Sequence, residues 1–304
     1  MRLLIAGAHG QVGRELVRAA RGHEVLALST DKLDITDAVA VGKSIEAFRP
    51  DAVINAAAYT AVDQAESEPD IAFSVNRDGP KRLASSCDKN GIPLVHISTD
   101  YVFDGKKIGA YVEGDVPNPL NVYGASKLAG EEAVRALCPR HLILRTSWVF
   151  SAHGNNFVKA MLKLGCEREA FGIVGDQHGC PTSAEELARG IIAVIESDDE
   201  DWGRTYHFCQ PKLTTWYDFA VAIFDEARRQ GLNLKVKQLK PIATIDYPTQ
   251  AVRPVNSAMD CLCFESSFGF KIQPWLESLS RVIGELMEAR TLTRQEMGDS
   301  GVMR

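Results

Sequence analysis

The chain has 304 residues, 45% hydrophobic and 24% charged, which supports a buried core and excludes a largely disordered protein. A formal net charge of -6 argues against a surface that tracks a nucleic-acid backbone. No apolar run approaches the roughly 20 residues of a membrane span, and the run at 3–6 is too short for a signal-peptide core, so a cytoplasmic protein without nucleic-acid or membrane partners is expected. The seven cysteines form no CxxC pair and no zinc-ligand spacing, and their odd number cannot close fully into disulfides; they read as reduced packing residues.

Short apolar runs at 3–6, 24–28, 52–55, 94–98 and 142–146 alternate with helix-like segments at 11–21, 37–48, 71–90 and 123–137. Several runs are continuous in their apolar character, as in strands buried on both faces. In the first helix Val12, Leu16, Val17 and Ala20 form a stripe that should pack on the sheet. The pattern predicts an α/β fold: a doubly wound, parallel Rossmann-type sheet over 1–150, with its ligand crevice at the carboxyl ends of the strands. After residue 150 loops at 151–156, 175–183 and 241–256 interrupt helices at 157–166, 185–197 and 216–230. This predicts a smaller α/β substrate-binding domain over 151–290, with some segments returning to the first domain. The polar stretch 291–304 is expected to fray.

Gly7, Gly10 and Gly13 follow the first run and open the first helix in the spacing GxxGxxG. Missing side chains let the backbone approach a pyrophosphate at the positive end of a helix, although a tight strand-to-helix turn alone would also call for glycine. The second run ends Leu28-Ser29-Thr30, with Asp31 one step past the position where an acid would hold the ribose 2′-hydroxyl of NAD. Hydroxyls there suit a 2′-phosphate, so the expected cofactor is NADPH, with NADH tolerated.

Tyr123 and Lys127 form a YxxxK pair, which a helix places on one face. A tyrosine with a pKa of about 10 needs a nearby cation to reach a useful range for proton transfer, and Lys127 offers one. Ser98-Thr99-Asp100 ends the fourth run, where a hydroxyl can meet a substrate carbonyl in the same crevice. Taken singly, Tyr123 could be a core aromatic, Lys127 a solvated helix face and Thr99 a cap. Their order after a dinucleotide turn favours catalysis.

With these residues the chain resembles the dTDP-4-dehydrorhamnose reductase family of extended short-chain dehydrogenase/reductases. The likeness lies in residues 7–13, 33–36, 53–63, 98–103 and 121–131, and in Arg145-Thr146-Ser147-Trp148, Asn155-Asn156-Phe157, 176–182 and 253–257; it covers roughly 1–285. The resemblance implies that Gly7, Gly10, Gln11, Val12, Gly13 and the turn Ala58-Tyr59-Thr60 contact the cofactor, with Asp34 and Ile35 near its adenine. It makes Tyr123 the proton donor, has Lys127 orient the nicotinamide ribose and lower the tyrosine pKa, and places Thr99 on the reacting oxygen. Asp100, Tyr101 and Trp148 would line the pocket for a nucleotide-sugar substrate, and Arg253 would clamp its diphosphate, although a surface salt bridge is an alternative for that arginine. Related dehydratases carry a glutamate where Tyr101 stands, so elimination of water is disfavoured. The resemblance also allows a homodimer with Mg2+ at its contact, held by Glu15 and Glu185. Two further resemblances compete: the non-catalytic regulatory β subunit of methionine adenosyltransferase and a nucleotide-sugar epimerase. Retention of Thr99, Tyr123 and Lys127 weighs against the first.

Overall fold

The computed structural model describes residues 1–197 and 201–299, with side chains through 289. Its centre is a six-stranded, all-parallel sheet of β1 (Arg2–Ala6), β2 (Glu24–Leu28), β3 (Ala52–Asn55), β4 (Leu94–Thr99), β5 (His141–Thr146) and a late strand, β7 (Arg204–His207). The spatial order is β7-β5-β4-β3-β1-β2. The chain leaves β1 toward one side for β2 and returns to the other side for β3, which creates a switch point at the carboxyl end of β1.

Strand side chains alternate between faces, and the core divides accordingly. Leu3, Ile5, Ala52, Ile54, Leu142 and Leu144 pack under α1 (Gln11–Ala19) and α6 (Ala184–Glu196). Leu4, Ala6, Val53, Leu94 and Ile143 face α2 (Ala38–Phe48), α3 (Gly79–Lys89) and α4 (Val122–Leu137). α6 and β7 thus return from beyond residue 150 to complete one helical layer and one edge of the sheet. A second apolar cluster joins α5 (Phe157–Glu167), α7 (Trp216–Arg229) and α8 (Trp275–Asp299) to a two-stranded parallel sheet of β6 (Ala170–Val174) and β8 (Gln238–Ile242). Among the described residues no helix is long and apolar enough to cross a membrane.

Three local expectations change, and a fourth falls largely outside the described residues. Val17 is 40% exposed, whereas Glu15 is buried. One residue step turns a helix by about 100°, which carries Val17 off the stripe defined by Leu16 and Ala20. The helix expected from 71 starts at Pro69 and passes through a π-helical turn, Ser74–Asp78, before α3. Pro241 falls in β8, not in a loop; a two-stranded sheet leaves an edge on which a missing N–H is tolerated. α8 runs to Asp299 in its backbone, and the fraying expected for 291–304 falls on side chains, and from 300 on a backbone, outside the described residues.

One charged pair lies under the carboxyl ends of β4 and β5. The Glu131 carboxylate on α4 is fully buried and accepts Nε (2.9 Å) and Nη2 (2.8 Å) of Arg145, itself 2% exposed. Ser98 donates its hydroxyl to Glu131 at 2.5 Å, and Arg135 adds a contact at 2.7 Å from the rim. Removing one partner of a buried pair leaves an uncompensated charge, so Arg145→Met should cost about 3–5 kcal/mol, and Glu131→Leu/Arg145→Met together far less. Urea denaturation followed by circular dichroism measures both; equal losses would show that the stranded charge is not the cause.

Candidate active site

The first helix has no side-chain cap, and α3, which continues directly from the π-helical turn, has none either. Asp37, Asn121, Asn156, Ser183 and Thr215 each cap their helix by accepting a backbone N–H, but α1 starts at Gly10 with no side-chain cap. Its first amides are donors without an intrahelical acceptor, at the positive end of a helix. Gly7 has a φ of +83°, and a Cβ there would lie 2.5 Å from the Ala57 nitrogen; at Gly13 it would lie 2.2 Å from the Gly7 carbonyl oxygen. β1, its turn and the 56–58 segment therefore fit together only with glycine at these positions. A cavity of about 170 Å³ opens beside them, lined by Gly7, Gly10, Ser29, Thr30, Asp34, Ile35 and Ala58 among others. This brings the glycine turn, the end of β2 and the expected adenine neighbours together, in a cradle suited to an anionic dinucleotide. Asp31 accepts a hydrogen bond from Ser29. The Gln11 side chain turns away, its oxygen accepting from Ser151 (3.1 Å) and Asn156 (2.8 Å), so only its backbone faces a ligand at the helix start. Val12 packs on the core, and Thr60 is exposed.

Thr99 ends β4, Tyr123 lies in the first turn of α4 and Lys127 one turn on; all three are buried. The Thr99 hydroxyl donates to Asp100 at 3.0 Å and accepts the Tyr101 amide at 3.2 Å. Burial pushes the Tyr123 phenol up to about 12, against an opposing hydrogen bond from Thr99. Lys127 donates to the Ile97 carbonyl at 2.7 Å, and burial brings its ammonium down to about 8 despite Glu131. Desolvation dominates at the Tyr123 phenol and outweighs the lowering expected from Lys127. The outcome is a phenol that keeps its proton across the physiological range.

A larger cavity of about 520 Å³ is lined by Tyr101, Phe157, Met161, Trp216, Tyr247 and Arg253, among others. Tyr101 meets the Tyr123 ring edge-on at 5.5 Å, which joins this cavity to α4. Trp148, at a φ of +48°, stacks on Trp216 with ring centroids 3.5 Å apart, and Gly179 leaves the space its indole fills. Arg253 grips Asp63 with both terminal nitrogens, at 3.1 and 2.7 Å. Glu15 and Glu185 do not form a pair: Glu185 binds Arg281 at 3.0 Å, whereas ligand atoms of Glu15, His153 and Glu285 lie within 4.8 Å of one another.

Several supporting residues were absent from the expected set. Asn76, buried within the π-helical turn, accepts the Tyr59 amide (2.8 Å) and donates to the Tyr59 carbonyl and to Ser126 (both 3.0 Å); Ser126 in turn donates to the Tyr123 carbonyl at 2.8 Å. It thereby links the 58–60 turn to α4. Its only sequence signal was a polar residue inside a helical run.

A doubly wound sheet with an uncapped glycine turn at its switch point and a buried Thr/Tyr/Lys set beside it defines a short-chain dehydrogenase/reductase of the extended type. Residues 1–288 match the family profile described as RmlD substrate binding domain. A dTDP-4-dehydrorhamnose reductase from Aggregatibacter actinomycetemcomitans is 45% identical, over 92% of this chain and 98% of the relative. The enzyme of that name from Escherichia coli K12 is 41% identical, over 94% and 98%. The crystal structure of a dTDP-4-dehydrorhamnose reductase from Clostridium acetobutylicum is 40% identical with a TM-score of 0.89, covering 94% of this chain and 100% of that one. Another, from Bacillus anthracis in complex with NADP, is 38% identical with a TM-score of 0.87, covering 93% and 99%. The chain belongs to the dTDP-4-dehydrorhamnose reductase family. A UDP-glucose 4-epimerase from Thermus thermophilus, 20% identical with a TM-score of 0.77, shares the fold alone.

Asp100 offers a test of the site's desolvation. Its carboxyl is pushed up from 3.8 to about 6 by burial, against hydrogen bonds from Ser257 and Thr99. The folded chain then holds this proton more tightly than the unfolded chain, so its contribution to stability is greatest below about pH 4 and is lost as pH rises through about 6. Asp100→Asn should raise the melting temperature at pH 7.5, by the equivalent of no more than about 3 kcal/mol, and leave it unchanged near pH 4. Thermal melts at the two pH values decide; equal shifts at both would refute the assignment.

Proposed function

We propose that the chain reduces the 4-keto group of dTDP-4-dehydro-6-deoxy-L-mannose (dTDP-4-dehydro-L-rhamnose) to dTDP-L-rhamnose, with NADPH as the preferred cofactor and NADH tolerated. The observation that carries this reading is that Thr99, at the carboxyl end of β4, lies against Tyr123, with Lys127 one turn on in the same helix, in the sheet whose β1 leads into the uncapped glycine turn. Residues 1–150, completed by α6 and β7, would bind the dinucleotide, and the remaining segments to 290 would bind the sugar nucleotide. Gly7, Gly10 and Gly13 with the backbone of Gln11 and Val12 would take the pyrophosphate. Asp34 and Ile35 would flank the adenine, and Ser29 and Thr30 a 2′-phosphate. Ala58, Tyr59 and Thr60, held by Asn76, would form the turn beside the nicotinamide half.

Bound NADPH supplies the hydride. The chain's residues hold the ketone and move the proton. Thr99 would donate to the reacting oxygen, giving up its contact with Asp100. Tyr123 would give its proton to that oxygen as alkoxide character develops. The upward-shifted phenol suits this direction, because a group that holds its proton is the form an acid catalyst needs. Lys127 would hold the nicotinamide ribose and answer the charge left on the phenolate. Asp100, Tyr101 and Trp148 would line the sugar, and Arg253 would meet the diphosphate. Tyr101 cannot serve as the carboxylate base of an elimination, and its phenol is itself raised by burial. A magnesium ion, which the resemblance places with Glu15 and Glu185, would meet Glu285 and His153 beside Glu15 as well; the proton and hydride steps do not call on it.

Purified protein should oxidise NADPH, read as loss of absorbance of the reduced nicotinamide, when given dTDP-4-keto-6-deoxy-L-mannose. Tyr123→Phe should lower turnover by about 10²- to 10⁴-fold, the usual range for positioned acid catalysis, with NADPH affinity within a few fold of the parent. A near-normal rate in that variant would remove Tyr123 from the mechanism. Tight NADPH binding without any turnover would instead indicate a binding subunit, and stoichiometric NAD retained through purification an epimerase.

A further inference from the structure

Arg253 is held by more than one contact, and the count of its donors is informative. A guanidinium has five N–H groups. Nη1 donates to Asp63 Oδ1 (3.1 Å) and to the Ala251 carbonyl (3.1 Å), and Nη2 donates to Asp63 Oδ2 (2.7 Å). Three donors are thus engaged, all on the outer fork and on Nη1. The two that remain, on Nε and on Nη2, lie parallel along a single edge, the geometry that matches two oxygens of a phosphate. Arg253 lines the 520 Å³ cavity, as do Tyr247 and Thr249 from the same segment.

That segment is pinned at both ends. Asp176 accepts the Thr244 amide and hydroxyl at its start. At its other end Asp63 accepts the Ala251 amide at 3.1 Å, and Asn121, the cap of α4, donates to the Val252 carbonyl at 2.7 Å. Asp63 follows the 58–60 turn in the short helix Val62–Ala65. The wall that carries Arg253 is therefore fastened to the candidate cofactor turn and to the start of α4.

We propose that Asp63 is a positioning residue for the substrate: with the Ala251 carbonyl it orients Arg253 so that the Nε/Nη2 edge forms a two-pronged fork for the diphosphate of the sugar nucleotide. The inference rests on the function proposed above and adds to it the residue that fixes the clamp. The Asp63 carboxylate acts through Arg253 and does not itself touch the substrate. It stays ionised, since Arg253 holds its carboxyl below the usual range.

The test uses the full chain loaded with NADPH and titrates thymidine diphosphate by calorimetry, with thymidine as a probe that lacks phosphate. Asp63→Asn should weaken thymidine diphosphate about tenfold, as expected for loss of a charge-assisted hydrogen-bond pair, and leave thymidine unchanged. Arg253→Met should weaken it at least as much, and Asp63→Asn/Arg253→Met no further than Arg253→Met alone. In turnover, Asp63→Asn should raise KM for the nucleotide sugar by a similar factor, with kcat changed less than twofold. Equal affinity of the parent and Asp63→Asn for thymidine diphosphate would overturn the inference and leave the proposed function standing. Parallel weakening of thymidine would overturn it too, because a general collapse of the wall would then be the cause. Failure of the parent to bind thymidine diphosphate at all would sink the proposed function, and this inference with it.

Discussion

The carboxylate of Glu131, taken fully out of water beneath the carboxyl ends of two strands, is the constraint on which the site depends. Desolvating a charge costs several kcal/mol, and the cost is offset only when every partner stays in place. The partners come from different elements: Arg145 from β5, Ser98 from β4 and Arg135 from α4 itself. Ser98 immediately precedes Thr99, and Lys127 lies one helical turn before Glu131, so the arrangement that satisfies the buried charge also fixes the hydroxyl and the ammonium. A rigid base of this kind supplies the pre-organisation that positioned catalysis requires.

A second consequence concerns protons. The same burial that fixes the site lowers Lys127 to about 8, raises Tyr123 to about 12 and raises Asp100 to about 6. Desolvation is the first cause in all three, and it drives each group toward its neutral form. Near neutral pH Tyr123 is neutral, whereas Lys127 still carries most of its proton and Asp100 has lost most of its own; a phenol and an ammonium in a low dielectric give little interaction to a neutral ketone and much more to a developing alkoxide. Catalysis by differential binding needs that difference.

The parts of the fold that could be read from sequence are those whose signal is local. The first five strands are short apolar runs flanked by helical periodicity, and the glycine turn and the YxxxK pair each fall within seven residues. β7 gave no such signal, because its sequence, Arg-Thr-Tyr-His, lacks an apolar run; it is a strand because β5 offers a parallel edge for it to pair with. The β6–β8 sheet is equally invisible, being two short segments joined across more than sixty residues, one of them containing a proline. Glu15 shows the limit of stripe reading: it is buried on α1 although it lies outside the apolar stripe, whereas Val17, read as part of that stripe, is exposed.

The site divides along the same line. Thr99, Tyr123 and Lys127 could be proposed from sequence because residue type and spacing suggest a chemistry for them. Asn76, Asp63 and the Glu131–Arg145 pair could not, because each acts by a contact that only the folded chain makes: Asn76 with Ser126 fifty residues on, and Asp63 with Arg253 at a separation of 190. Arg253 could be singled out as a phosphate binder from its chemistry, but sequence offered a choice between clamp and salt bridge. The folded chain shows that these need not compete, since the ion pair occupies one edge of the guanidinium and leaves the other edge for a ligand. Residues proposed to touch the reaction can thus be singled out from type and spacing, whereas the contacts that would aim them emerge only once distant segments are brought together.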